Sequence, residues 1–295
     1  MKTKLSSADF IYYFLAYTIV TILVLIVLCP MAFIVSASFS SAASVNSGKV
    51  WILPVNPSLY NYRMVLQYPS VYIGYRNTFF YTFAGTLINV IFTMLCAYPL
   101  SRKDLVGRGF FTILFTFTMI FSGGLIPGYI LIRNLRLLNT IWVMLLPGAL
   151  SVYNMIVMRT FFQTSIPGEL FEASRLDGCS DAQYFFKILI PLSHSVIAVI
   201  ALFYAVGHWN SWFGAFVYLT DRNLYPLSLF LRQILVQNQF SAEAVTDPEV
   251  AAQLLGIQEV LKYAIIVLST APLMCFYPLA QKHFVKGVMI GSLKG

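Results

Sequence analysis

A short charged stretch between two apolar runs holds the residues whose types and spacing could do chemistry in this chain. Two acidic side chains, Glu172 and Asp177, lie there beside small residues and ahead of a glycine. Acidic groups on a short helix that ends in a turn could pair with basic groups in a groove of a partner protein. The residues that we assign to this docking role are Glu169, Glu172, Ala173, Ser174, Asp177, Gly178 and Pro191.

The sequence around these residues predicts a rigid helix followed by a turn. Glu169 places a negative charge in the first turn of the helix, which suits the helix dipole. Residues 169–176 are amphipathic, and the small side chains of Ala173 and Ser174 allow another surface to approach closely. Gly178 permits a turn that a side chain would hinder. The alternative interpretation is a solvated amphipathic loop between two membrane helices.

The composition indicates the elements that must position this stretch. The chain has 295 residues, of which 59% are hydrophobic and 10% are charged, whereas a soluble domain carries about 25% charged residues. A helix needs roughly 20 apolar residues to cross a bilayer, and six charge-free runs are long enough. We therefore predict an all-α polytopic membrane protein with six transmembrane helices. They cover about residues 10–35, 77–100, 110–132, 140–162, 188–219 and 260–280.

The third and fourth spans contain adjacent residues that break helices. The third span includes Ser122-Gly123-Gly124 and Pro127-Gly128, which predicts either a bend beside a translocation path or a helix that ends near Phe121. The fourth span contains Pro147-Gly148. The first span has a longer apolar run than a signal-peptide core, and we expect it to stay as a signal anchor rather than be removed.

Several classes of function are disfavoured by the sequence. The net charge of +8 comes from scattered basic residues with no basic patch, so nucleic-acid binding is not expected. The four cysteines show no CxxC spacing, which predicts free thiols and no metal site. The spans hold no Asp or Glu, which argues against a membrane enzyme and against an ion-coupled secondary transporter. We therefore predict no catalytic residues and no cofactor bound by this chain.

The charge distribution gives a weak prediction of orientation. With both termini in the cytoplasm, eleven of the 19 Lys and Arg residues lie inside and eight outside. The predicted organisation is a cytoplasmic tail over residues 1–9, a transmembrane domain over 10–281 with a cytoplasmic loop at about 163–187, and a cytoplasmic tail over 282–295.

The charged stretch also carries a recognisable spacing. Glu172-Ala173-Ser174, Gly178, Ile188 and Pro191 fit EAA-x3-G-x9-I-x-L-P, with Ser for the second Ala and Ile190 for Leu. This pattern resembles the cytoplasmic coupling loop of permease subunits in ABC importers. The stretch IPGELFEASRLDGCSDAQYFFKILIPLS, the HWNSW of the following span and the C-terminal PLAQKHFVKGVMIGSLKG are similar to the MalG-like permeases of carbohydrate importers.

The resemblance implies a type I importer permease fold, with five core helices and an additional N-terminal helix, in the bacterial cytoplasmic (inner) membrane. It implies a second, homologous permease subunit, two ABC ATPase subunits of which one docks on the coupling loop, and an extracytoplasmic solute-binding protein. ATP and Mg would be bound by the ATPase subunits, because this chain has no G-x-x-x-x-G-K-[ST] loop. The docking residues above would then couple the chain to an ATPase.

Polar and aromatic residues within the spans are candidates for the substrate path. Aromatic faces suit the CH surfaces of sugars, and amide or imidazole groups suit their hydroxyls. The alternatives are an interfacial aromatic belt for the tryptophans and helix–helix hydrogen bonds for the amides. The candidates are Tyr153, Asn154, His208, Trp209, Asn210 and Trp212.

The expected substrate is an oligosaccharide or polysaccharide fragment, including uronate-containing ones such as alginate or rhamnogalacturonan fragments. An acidic sugar would explain the outer basic residues Arg133, Arg136 and Arg222. The outer segment 220–258, with an amide-rich tip at 237–239, either reaches the binding protein or is a simple solvated loop. A non-sugar ABC permease and an ion-coupled secondary transporter are the remaining alternatives.

Overall fold

The computed structural model describes residues 7–233 and 261–277, and the elements of this part of the chain are helical. The described residues divide into two compact units. The first contains residues 7–69, 231–233 and 261–271, and the second contains residues 70–230 and 272–277. The predicted tail 282–295, the start of the tail 1–9 and the amide-rich tip at 237–239 lie outside the described residues.

The first unit is built on a long apolar helix. Helix α1 (Ser7–Ser38) is followed by α2 (Ala42–Asn46) and α3 (Tyr60–Leu66). The amide of Asn61 on α3 donates to the carbonyls of Ser38 and Ser40 at 3.2 and 3.1 Å, so the segment after α1 is held by buried polar contacts. The last described helix, Leu261–Tyr277, belongs to this unit up to Ala271.

The second unit holds the remaining helices. Its longest element is α4 (Pro69–Ser101), and the others are shorter. In chain order these are α5 (Arg108–Ile120), α6 (Leu125–Asn134), α7 (Trp142–Leu145), α8 (Val152–Thr164), α9 (Glu169–Leu176), α10 (Asp181–Tyr184), a π-helical turn (Phe185–Leu189), α11 (Ile190–Leu192), α12 (His194–Trp209), α13 (Phe213–Tyr218) and a 3₁₀ turn (Arg222–Leu224). A helix over residues 227–233 begins in this unit, and its residues 231–233 belong to the first unit.

One face of α4 forms much of the core of this unit. Tyr81, Gly85, Asn89, Thr93 and Ala97 are buried at a spacing of four residues, which places them along one side of the helix. Side chains of α8, α9 and α12 pack near the end of α4 that carries Ala97, and side chains of α6, α7 and α13 pack near the end that carries Tyr81.

Three of the predicted spans are interrupted in the structure, and for the third an interruption was predicted. The third ends at Ile120, where Phe121 is extended, and resumes at Leu125 after Gly124 adopts a φ of +82°. The two pieces bend by 113°. The structure thus has both the predicted end near Phe121 and a new helix directly after it, because Gly124 reaches a backbone conformation that other residues avoid.

The fourth and fifth predicted spans are also interrupted. Pro147 and Gly148, whose φ is +91°, separate α7 from α8. In the fifth span, the helices on either side of Ser193 bend by 80°, and a second break follows Trp209.

Helices α1 and α4 are longer than predicted. Among the described residues, they are also the two helices that are long and apolar enough to cross a membrane. The number of candidate spans rises to four if each bent pair of helices counts as one span. The count of six transmembrane helices stays a prediction.

Candidate functional site

The helix predicted over residues 169–176 is confirmed as α9, and its bounds agree with the prediction. Gly178 follows its C-cap Asp177 with a φ of +78°. The N–H of Gly178 donates to the carbonyl of Arg175, and the N–H of Cys179 to that of Ser174, at 3.0 and 2.9 Å. These two bonds form a Schellman motif, which needs a left-handed residue at this position. The turn is therefore fixed by backbone geometry.

The next helix begins immediately with a capping box. The hydroxyl of Ser180 accepts from the N–H of Gln183 at 3.2 Å, and the Gln183 side chain accepts from the N–H of Ser180 at 2.9 Å. Such a pair satisfies two backbone donors that a helix start leaves free. Helix α9 and α10 are thus joined by a short, well-defined turn.

Helix α9 presents one face outward and one inward. Glu172, Ala173 and Asp177 are exposed, and Leu176 at the end of the helix is 90% exposed. Ser174 faces inward instead, with 4% exposure, and its hydroxyl donates to the Phe171 carbonyl at 2.7 Å. Of the two small residues expected to admit another surface, only Ala173 is therefore on the outer face.

The inward face of α9 is anchored by an aromatic ring between two guanidinium groups. The Phe171 ring is buried, and the Cζ atom of Arg102 lies 3.3 Å from its centroid. Arg175 lies 5.0 Å from the same centroid, and Tyr184 meets the ring edge-on at 5.0 Å. A guanidinium over an aromatic face is attracted by the ring quadrupole. Arg102 thus connects the end of α4 to α9.

Arg102 is held in place by its own loop. Its side chain pairs with Asp104 at 3.2 Å, and its carbonyl accepts from Arg108 at 3.4 Å. Burial raises the pKa of the Asp104 carboxyl, but the hydrogen bond from Arg102 and nearby positive charge outweigh that effect and leave the pKa below its ordinary value. Asp104 is therefore ionised at neutral pH. Arg102, Phe171 and Glu172 line a cleft of about 700 Å³ beside α9.

Pro191 lies at the base of the docking stretch. It is exposed within α11, directly after the π-helical turn, and its carbonyl lies 3.2 Å from Nδ1 of His194. Proline has no N–H to give to a helix and bends helices where it occurs. Pro191 therefore shapes the bend into α12. Of the predicted docking residues, Glu172 and Ala173 lie on the outward face of α9, whereas Ser174 faces inward and Pro191 lies outside α9. Their docking role stays a prediction.

The predicted path residues have different surroundings. His208 lines a cavity of about 310 Å³ together with Pro147, Gly148 and Tyr204. Trp209 is buried, with its ring 5.2 Å from that of Phe79 in an edge-on contact. Of the six predicted residues, His208 alone lines this cavity.

The other path candidates have different surroundings. Asn210 donates to the carbonyl of Val206 in its own helix at 2.9 Å, and Trp212 packs edge-on against Phe213. Tyr153 is exposed and Asn154 is buried, both in the first turn of α8. The roles of these residues in a substrate path stay predictions.

A polar network crosses the core beside the cavity. Asn89 on α4 contacts Nε2 of His208 at 2.7 Å and donates to the carbonyl of Gly148 at 2.7 Å. The hydroxyls of Thr93 and Tyr204 are 2.7 Å apart, and the Tyr204 oxygen accepts from the N–H of Ser151 at 3.0 Å. Both ends of the break between α7 and α8 are therefore tied to α4 and α12.

A second set of contacts fixes the chain after α13, and we name it the outer junction. Asn77 donates to the carbonyls of Asn223 and Tyr225 at 2.6 and 3.0 Å, and Tyr81 donates to that of Leu224 at 2.9 Å. Asn139 accepts through its side chain from the N–H groups of residues 220 and 221, at 2.9 and 2.8 Å. Residues 220–225 are therefore anchored to α4 and to the turn after α6.

Sequence reasoning missed Gly85, Asn89, Thr93 and Tyr204. The first three recur every four residues in an otherwise apolar span, which is a pattern typical of close helix packing in membranes. That spacing could have identified them. Tyr204 gives no comparable signal, because a tyrosine in an apolar helix most often marks a core or an interface. Arg102 likewise looked like ordinary positive charge at a helix end.

Comparison with known proteins adds independent findings. Residues 89–290 match the family described as binding-protein-dependent transport system inner membrane component. The chain is 38% identical to Protein LplC of Bacillus subtilis (strain 168) over 270 residues, which cover 92% of this chain and 90% of that protein. It is 37% identical to the polygalacturonan/rhamnogalacturonan transport system permease protein YtcP of the same organism over 281 residues, which cover 95% and 97%.

A solved structure is also similar. It is a crystal structure of a bacterial ABC transporter involved in the import of the acidic polysaccharide alginate. One of its chains superposes with a TM-score of 0.85 at 35% identity, covering 96% of this chain and all of that chain.

Proposed function

This chain belongs to the binding-protein-dependent transport system inner membrane component family, and we propose that it pairs with a second, non-identical permease subunit above two ABC ATPase subunits. It has the fold of type I ABC importer permeases and is a transport subunit of an importer. The solute-binding protein and the ATPases are its partners in this proposal, and ATP with Mg is bound by the ATPases.

The geometry of α9 is the observation that carries the proposal. Its exposed face holds two glutamates, Ala173 and Leu176, and its inward face is clamped by Arg102 against Phe171. An exposed helix with one face fixed to the rest of its chain can transmit the movement of a bound partner to the core, because the helix does not rotate independently of the core. We propose that α9 docks in a groove of an ATPase, where basic groups meet Glu169 and Glu172.

This docking sets the proposed orientation. An ATPase requires cytoplasmic ATP, so α9 and the loop that carries Arg102 lie on the cytoplasmic side. With the predicted six spans, both termini lie on that side as well. ATP would draw the docked helices together and open the permease outward, and hydrolysis would reset it. Such a switch requires contacts of α9 that differ between the two states.

The proposed substrate is an oligosaccharide that carries carboxylates. Two of the similar proteins are named or titled for acidic polysaccharides, polygalacturonan/rhamnogalacturonan and alginate. In this chain, Arg133, Arg136 and Arg222 are exposed, and they form no ion pair with other described residues. Arg136 and Arg222 flank the two segments that Asn139 joins at the outer junction. Unpaired guanidinium groups are well suited to bind carboxylates.

The test is a purification followed by an activity assay. We expect ATPase subunits to co-purify with this chain from membranes of its source. We also expect ATP hydrolysis to rise when an oligogalacturonate or oligoalginate is added with its binding protein. A neutral oligosaccharide of equal length should give a smaller response. If no ATPase co-purifies, the proposal that α9 docks on an ATPase fails.

A matched pair of variants tests the docking face. Leu176 and Val106 are both apolar and 90% exposed, and only Leu176 lies on α9. Leu176→Asp is expected to abolish the stimulated ATPase activity, whereas Val106→Asp leaves it intact. Equal loss in both variants would show that α9 has no special role in docking.

A further inference from the structure

Two residues of α4 form a face that holds the ring of His208, which we name the Gly85–Asn89 face. The residues are four apart and therefore lie on one side of the helix. A Cβ atom built on Gly85 would overlap Cε1 and Nε2 of the His208 ring. Asn89 contacts the same Nε2 at 2.7 Å. The ring thus packs directly on the backbone of α4, and glycine is the residue that permits this approach.

The network determines which nitrogen of His208 carries a proton. Asn89 contacts the Gly148 carbonyl at 2.7 Å, and a carbonyl oxygen only accepts. The Asn89 atom at that contact must be the amide nitrogen, so its oxygen faces Nε2 of His208. Nε2 must therefore donate. In a neutral imidazole, Nδ1 is then the acceptor.

Nδ1 has no hydrogen-bond partner among residues 7–233 and 261–277. The ring lines the cavity of about 310 Å³, which is within the range of small-ligand sites. Three residues with hydroxyl groups also line the cavity, Tyr204, Ser211 and Tyr218. The Tyr204 hydroxyl is already engaged with Thr93 and Ser151. An acceptor without a partner beside aromatic rings suits a ligand rich in hydroxyl groups.

We propose that this cavity is a subsite for one sugar ring of the transported oligosaccharide, and that Nδ1 of His208 accepts a hydrogen bond from a sugar hydroxyl. Asn89 and Gly85 are positioning residues, which set the tautomer and the location of the ring. This inference rests on the proposed function, since it assumes that the solute is an oligosaccharide. It adds a contact to the predicted path and identifies the chemistry of that contact.

The test compares two glutamine substitutions in the complete importer, reconstituted with its binding protein. His208→Gln keeps an amide that can donate to Asn89 but has no acceptor at the position of Nδ1. His194→Gln is the matched control, because His194 is on the same helix, exposed and outside the cavity lining. We expect His208→Gln to raise the half-saturating sugar concentration for uptake about tenfold, the effect of losing one hydrogen bond of about 1.4 kcal/mol.

Deoxy sugars separate a sugar contact from a structural role. For the wild-type importer, the half-saturating concentration should rise about tenfold with the one deoxy analogue that lacks the bonded hydroxyl. His208→Gln should show no further loss with that analogue. The inference is overturned if His208→Gln has the same half-saturating concentration as the wild type, because glutamine would replace a purely structural histidine well. It is also overturned if every deoxy analogue affects the wild type and His208→Gln equally.

The result also distinguishes this inference from the proposed function. If the wild type and His194→Gln take up oligosaccharide and His208→Gln does so with the same half-saturating concentration, only the subsite is overturned. Absence of oligosaccharide uptake in the wild type overturns both. If His208→Gln does not assemble, ¹⁵N-histidine spectra of the wild-type importer serve instead. The Nδ1 resonance is expected to shift with the sugar and not with its deoxy analogue, and an unchanged resonance refutes the contact.

Discussion

The contact between Arg102 and Phe171 gives the sharpest prediction, because it is the link between α4 and the docking helix α9. The guanidinium lies 3.3 Å from the ring centroid, with the Arg102 side chain 25% exposed and Phe171 6% exposed. A cation–π contact contributes roughly 0.5–1 kcal/mol when exposed and about 2 kcal/mol when desolvated. We therefore assign it about 1.5 kcal/mol, or roughly tenfold in an equilibrium between a fixed and a loosened α9.

Arg102→Ala is expected to uncouple ATP hydrolysis from transport. A loosened α9 still meets the ATPase, but its movement is transmitted poorly to α4. The number of ATP molecules hydrolysed per sugar imported should rise several-fold, measured in proteoliposomes as phosphate release against labelled sugar uptake. Arg102→Lys should show an intermediate ratio, since an ammonium keeps the charge but does not stack as a plane.

Two controls make this prediction refutable. Lys103 is the next residue and is exposed, so Lys103→Ala removes the same charge without touching the ring. In a Phe171→Leu background, Arg102→Ala should add little, because the ring that it binds is gone. An unchanged ratio in Arg102→Ala, or an equal rise in Lys103→Ala, would show that the stack does not link α4 to α9.

Three further predictions concern single turns. Gly178→Ala should destabilise α9 by about 1–2 kcal/mol, because Gly178 has a left-handed backbone conformation, and should lower the stimulated ATPase activity. Gly168→Ala is the control and should have no such effect, because Gly168 has a φ of −62° and a Cβ atom there would meet no other atom within 4 Å. Ser180→Ala should lower the melting temperature by removing a cap worth about 1 kcal/mol. Asn139→Gly keeps the backbone at its φ of +56° but loses two hydrogen bonds, so proteolysis after residue 220 should accelerate relative to the wild type.

The sequence predicts the docking helix well because its signals are local. A glutamate at the start, amphipathic spacing and Gly178 at the end all act within ten residues, and the structure confirms the bounds of α9. The outward or inward direction of each side chain depends on the partners of α9. Ser174 was expected on the docking face, but it faces inward and its hydroxyl donates to the Phe171 carbonyl.

The interrupted spans were harder to predict for a related reason. Pro147-Gly148 was visible in the sequence, but whether it breaks a helix depends on what satisfies the freed backbone groups. Asn89 and Tyr204 satisfy them, from positions 59 and 53 residues away along the chain. Such long-range partners leave no local trace. The same holds for the cavity, which brings together His208 and the break between α7 and α8.

Helix α4 gives these separate features a common element. Asn77 and Tyr81 bind the outer junction, Asn89 holds His208, and Arg102 immediately after the helix binds α9. At about 1.5 Å per residue, Asn77 and Arg102 are separated by roughly 38 Å, about the thickness of a membrane. A displacement of α9 must therefore move the partner of His208 and the anchor of residues 220–225 together, unless α4 bends. Pro99 is close to the end of α4 that precedes Arg102. A bend there would separate Arg102 from the other contacts and leave those of Asn77, Tyr81 and Asn89 acting as a unit.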